Sequence, residues 1–119
     1  MKNYQKIHVD NESRTELHDV LGLTGAEISI NNLPAGAGVP FVHAHKQNEE
    51  IYIILEGSGK AILDGEEVAL TAGDFVRVAP ATKRQFSAAA DQGIKYICIQ
   101  VKANSLESYT ADDATLCES

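Results

Sequence analysis

The chain has 119 residues, 44% of them hydrophobic and 23% charged, with a formal net charge of −7. That length suits a single domain that buries its own core without disulfide or metal support, and the spacing of Cys98 and Cys117 matches neither a metal pair nor a disulfide framework. The acidic balance, with no basic cluster longer than Lys83-Arg84, argues against nucleic acid as a partner, and the longest apolar run, residues 51–55, is far shorter than the ~20 residues of a membrane span.

Along the chain, MKNYQKIHVD lacks the apolar stretch of a secretory signal, so a cytoplasmic setting is expected. His8 there and His18 in ELHDVL read as surface histidines, although a loop could fold His18 over a barrel mouth. Residues 11–23 offer the one stretch suited to a helical turn or two. From there the pattern is that of strands: AEISI (26–30), EEIYIIL (49–55), KAIL (60–63), EVAL (67–70), FVRVA (75–79) and IKYICIQV (94–101). Each is short and rich in Ile and Val, and Gly, Pro, Asn or Asp punctuates most gaps, as in an all-β barrel or sandwich.

LPAGAGVP (33–40) holds two prolines and reads as a turn-rich approach. Asp64-Gly65 reads as a hairpin turn, and Gly57, Gly59 and Gly73 as turn glycines. Cys98 sits in an apolar run and reads as a small buried hydrophobe. Residues 105–119 carry four acidic and no basic side chains and are expected to form a loosely held C-terminal segment after a barrel core spanning about 26–101.

Two strands, IYIIL and IKYICIQV, are apolar on both faces. An antiparallel sheet usually wets one face. One face is therefore expected to line the interior and the other to meet a second subunit, giving a homodimer.

The chemistry concentrates in FVHAHKQNEEIYIILEG (41–57). In an extended segment His43 and His45 project to one face, about 7 Å apart along the strand. Phe41 shares that face as an apolar wall. Glu50 opens the next strand on the same side as Tyr52, whereas Glu49 points away. Two histidines and one carboxylate form a facial triad that suits Fe(II) and leaves positions open; imidazole also suits zinc, copper and nickel.

This ordered string resembles the first signature motif of the cupin superfamily: glycine, H-x-H, glutamate, then glycine after six residues. His43, His45, Glu50 and Gly57 match, and the leading glycine falls between Gly36 and Gly38. GDFVRVAPATKRQF (73–86) resembles the second motif, with one residue inserted between Gly73 and Pro80 and with Thr82 where a glycine belongs. Gln85 stands at the position of the third metal-binding histidine.

The resemblance implies an all-β, jelly-roll-like barrel of two antiparallel sheets filling one domain, 1–119. It also implies one divalent transition metal ion (Fe, Mn, Ni, Zn or Cu) held by His43, His45 and Glu50. Gln85 is either a fourth ligand through its amide oxygen or a neighbour that hydrogen-bonds bound water or substrate. Phe41, Tyr52 and Phe86 are expected to line the pocket, with Arg84 either a solvated turn charge or a pocket group that clamps a substrate carboxylate. The expected activity is that of a metal-dependent dioxygenase, isomerase or decarboxylase on a small polar or carboxylated molecule. The alternative is a binding or sensing barrel without turnover; a structural, storage-like role has little support in a short acidic domain.

Overall fold

One continuous strand organises the molecule. The computed structural model describes residues 3–108 and 112–118, and within them Asn48–Leu63 forms a 16-residue strand, β3. Around it lie β1 (Arg14–Glu16), the one-turn helix α1 (His18–Leu21), β2 (Glu27–Leu33), β4 (Glu66–Thr71), β5 (Phe75–Val78), β6 (Arg84–Ala88) and β7 (Ile94–Lys102). The first half of β3 pairs with β5 on one side and β7 on the other, and β7 continues to β2 and β1. The second half pairs with β4 and β6. All pairings are antiparallel, so β3 is the shared corner of the two sheets expected from the sequence.

Passing from one sheet to the other requires a bend. A register irregularity falls between Ile54 and Glu56, and Gly57 takes φ +81°. A Cβ on Gly57 would overlap the carbonyl oxygen of Gly93, and one on Gly59 the carbonyl oxygen of Ser87. Expected as turn residues, these glycines instead lie within a strand whose neighbours approach too closely for any side chain. Asp64 and Gly65, with φ of 50° and 84°, form the hairpin turn as expected.

Inside the barrel, Tyr52, Ile54, Ala61, Leu70, Val78, Phe86, Ala88, Ile94, Tyr96 and Cys98 are buried together. Tyr52, Phe86 and Tyr96 stack as an aromatic cluster, with ring centroids 4.0 to 5.8 Å apart. Strand β2 turns its polar residues inward. Its polar Ser29 and Asn31 are the buried pair, at 3% and 5% exposure, while Ile28 and Ile30 are only partly covered on the opposite face.

On that outer face the register aligns Phe75, Ile53, Ile97 and Ile30 across four strands, with Ile51, Ile99 and Ile28 in the adjoining row. The described residues beyond β7, 104–108 and 112–118, are exposed and carry no helix or strand; positions 109–111 and 119 of the expected C-terminal segment lie outside the described residues.

Replacing Gly57 or Gly59 by alanine should destabilise the fold by about 3 kcal/mol or more, because backbone must move to admit the Cβ. Gly25→Ala, where a Cβ meets nothing within 4 Å, should change stability by less than about 0.5 kcal/mol. Urea unfolding midpoints of the three variants measure the contrast.

Candidate metal centre and cavity

The interior is not filled at one end. A cavity of about 530 Å³ is bounded by β2, the segment 38–45, and the inward faces of β3, β6 and β7. Strand register builds its floor: Glu50 lies across from Gln100, Tyr52 from Cys98 and Ile54 from Tyr96, while Ser29 and Asn31 flank Cys98 and Tyr96 on the other side. All of these except Ile54 line the cavity.

His43 and His45 reach this floor from outside the regular strands. The His43 amide donates to the Arg84 carbonyl and the Arg84 amide donates back, at 3.1 and 2.9 Å. The His45 amide donates to the Pro80 carbonyl at 2.8 Å. Pinned so, the imidazoles lie edge to face with centroids 5.2 Å apart. One donor atom from each of His43, His45 and Glu50 falls within 4.8 Å of the others, so the three form a cluster able to hold a metal ion.

Glu50 is 2% exposed and every contact it makes is directional. Oε1 accepts from the Tyr52 hydroxyl at 2.5 Å and from Arg84 Nη1 at 2.7 Å. Oε2 lies 3.1 Å from His45 Nε2 and accepts a weak bond from the Cys98 thiol at 3.4 Å. Burial alone would raise its pKa, but the bonds from Tyr52, Arg84 and Cys98 and the nearby His45 outweigh it and hold the carboxyl below the usual range. Burial, with the Glu50 carboxylate alongside, raises Tyr52 far above the ordinary phenol value, and burial pushes the Cys98 thiol up to about 12. Both stay protonated donors. His43 is lowered, chiefly by burial, with His45, Arg84 and Arg14 adding to the effect against Glu50.

A family model described as the cupin domain matches residues 30–100, more than half of the chain. The chain belongs to the cupin family. It is 30% identical over 86 residues to an uncharacterized protein of Methanocaldococcus jannaschii, covering 72% of this chain but only 64% of that protein's length. Among solved structures it resembles a cupin protein from Bacteroides fragilis, with a TM-score of 0.96 and 63% identity across 99% of this chain and 100% of that one. A Cupin 2 conserved barrel domain protein from Salinispora arenicola matches with a TM-score of 0.71 at 20% identity, covering 85% and 92% of the two chains, a likeness that shows the fold alone.

In this cupin the three first-motif residues fit a metal ion. His43 Nδ1 is buried without a hydrogen-bond partner among the described residues, an atom in want of a ligand. The 3.1 Å between His45 Nε2 and Glu50 Oε2 is about that of two neighbouring ligands each ~2.1 Å from one ion. Oε1, meanwhile, is held by Tyr52 and Arg84, the kind of outer support that orients a ligating carboxylate.

The second-motif residues are rearranged relative to expectation. Gln85 borders the cavity, and its amide nitrogen donates to the Val39 carbonyl at 2.9 Å. Strand alternation carries Arg84 and Phe86, not Gln85, to the buried face of β6. Arg84 is neither a solvated turn charge nor a cavity wall: it is fully buried behind Glu50. Its guanidinium bonds to Glu50 and to the carbonyls of Ala79, Pro80 and Thr82, so it grips protein rather than substrate. Phe41, Tyr52 and Phe86 do line the cavity, Phe41 at its exposed rim beside His43. Glu49 faces the other way and pairs with Arg77 at 2.7 Å. His8 and His18 lie on the surface, paired with Asp10 and Asp19.

Sequence reasoning missed Ser29, Asn31 and Arg14 as cavity residues and took Cys98 only as a small hydrophobe. The alternation in EISIN (27–31) was the available signal, because Glu27, Ser29 and Asn31 share one face.

Removing one member of the buried Glu50–Arg84 pair strands the other. Arg84→Met should lower stability by about 3–5 kcal/mol, and the double variant Glu50→Leu/Arg84→Met should recover most of it. Guanidinium denaturation of the two variants and the parent makes the comparison.

Proposed function

We propose that this protein is a metal-dependent cupin enzyme acting on a small polar or carboxylated molecule, in the manner of a dioxygenase, isomerase or decarboxylase. The observation that carries the reading is the His43–His45–Glu50 cluster at the floor of a cavity. A divalent transition metal, from Fe, Mn, Ni, Zn or Cu, would act there as a Lewis acid or activate oxygen.

The chain's own residues do the rest. His43, kept neutral by burial, and His45 present imidazole nitrogens, since only unprotonated imidazole ligates. Tyr52 and Arg84 hold Glu50 Oε1, which leaves Oε2 turned toward His45. Tyr52, Phe86 and Tyr96 form an aromatic wall that excludes water from one side of the cavity.

A non-catalytic binding barrel is the second reading. One observation favours it: Arg84 places a full positive charge against the carboxylate, which weakens that oxygen donor toward a cation. A cytoplasmic setting fits either reading, because Cys98 and Cys117 are both free thiols.

Elemental analysis of purified protein should find close to one transition metal per chain. His43→Ala and His45→Ala should abolish uptake, and Gln85→Ala should leave affinity within about threefold, as expected of a wall residue. A chain that neither carries nor takes up any of the five metals overturns the enzyme reading; metal without oxygen consumption or turnover across small keto acids, diketones and catechols favours the binder.

The proposal extends to a homodimer formed through the outer sheet face. Seven apolar side chains, Phe75, Ile53, Ile97, Ile30, Ile51, Ile99 and Ile28, lie there in two aligned rows. Such a flat apolar face suits a second copy of itself. Sedimentation equilibrium should give twice the chain mass, and Ile53→Lys should return a folded monomer.

A further inference from the structure

Charge on the cavity wall is unevenly distributed. Apart from histidines, its charged residues are Glu50 and Arg14. The Glu50 charge is matched by Arg84 at 2.7 Å, behind the wall. Among the described residues Arg14 has no such partner. Its nearest acid, Glu16, lies 3.7 Å away with both side chains more than half exposed, where solvent screens the pair. The Arg14 charge is nevertheless felt within the cavity, at His43, Tyr96 and Cys98.

Arg14 is also held in place. The β1–β2 register sets it opposite Asn31, and its Nη1 donates to Asn31 Oδ1 at 2.7 Å. Asn31 Nδ2 in turn donates to Ser29 Oγ at 3.1 Å. Both ends of the Asn31 amide are thus committed, and the guanidinium is oriented at the cavity mouth with its Nη2 unbonded among the described residues. A plain hydrophobic core would not turn Ser29 and Asn31 inward and Ile28 and Ile30 outward, since buried polar groups cost free energy unless partnered. The inversion makes sense if the wall receives a polar ligand.

We propose that Arg14, steadied by Asn31 and Ser29, is the anchoring subsite for the carboxylate of a small acid whose apolar or planar body lies toward Tyr52, Phe86 and Tyr96. The planar guanidinium matches a carboxylate in two parallel bonds. Among the described residues no second Lys or Arg lines the cavity, so a phosphate dianion would be left half-compensated there. The subsite deepens the proposed function by naming its substrate class, and it rests on that reading only for the cavity being the working site.

The test uses metal-free protein and benzoate, with benzamide as the neutral isostere and phenyl phosphate as the dianion, followed by calorimetry and amide NMR shifts. Benzoate should bind with shifts at residues 14, 29 and 31, benzamide should bind at least about tenfold more weakly, and Arg14→Gln should lose at least about tenfold, the scale of one charge-assisted pair. Arg14→Lys, which keeps the charge and loses the fork, should fall between, and unchanged thermal midpoints should show that both variants fold. Benzoate that fails to bind at millimolar concentration, or binds Arg14→Gln as it binds the parent, overturns the subsite. So does benzamide binding equal to benzoate, and tighter phenyl phosphate binding overturns the choice of carboxylate. Metal titration of the same variants separates the two readings: Arg14→Gln should keep full metal affinity, and loss of metal binding elsewhere leaves the benzoate result standing.

Discussion

A carboxylate at 2% exposure cannot stay charged in a protein interior without compensation, and here the compensation is Arg84. The guanidinium is itself fully buried and takes three backbone carbonyls besides Glu50, so β3, β6 and the 79–82 turn are tied at one point. The reciprocal backbone bonds between Arg84 and His43 extend that tie to the histidine segment. The position of His43 and Glu50 therefore follows from a salt bridge, not from the strands alone.

The same arrangement decides how each oxygen of the Glu50 carboxylate is engaged. Here the inward place on β6 holds a permanent cation, which satisfies Glu50 whether or not metal is present. Oε1 is taken by Arg84 and Tyr52, while Oε2 faces His45 Nε2 and the Cys98 thiol.

Beyond the cluster, the barrel sorts its polarity by face. On β3 and β7 aromatic and aliphatic residues cover both sides, with the cavity inside and the isoleucine rows outside. On β2 the sorting is inverted, polar inward and apolar outward. The outer face carries an apolar row across four strands that gives way to the Glu49–Arg77 pair at one end, and the inner face changes from apolar to polar as it approaches the cavity mouth.

Whereas β1 and β6 carried no such pattern and β3 read as two strands, local patterns alone located β2, β4, β5, β7, both halves of β3, the Asp64-Gly65 hairpin and the grouping of His43, His45 and Glu50. These depend on alternation, turn chemistry and short spacings, which are properties of neighbours in sequence. Pairing across the barrel decided everything else. Gly57 and Gly59 look like turn glycines until Gly93 and Ser87 are brought against them. Gln85 fits a motif by counting, yet the pleat of β6 turns Arg84 inward, because facing is set by the register with β3 and not by distance from Pro80. Arg14, 36 positions before Glu50 in the chain, joins the cavity only because β1 closes on β2 and sets it opposite Asn31.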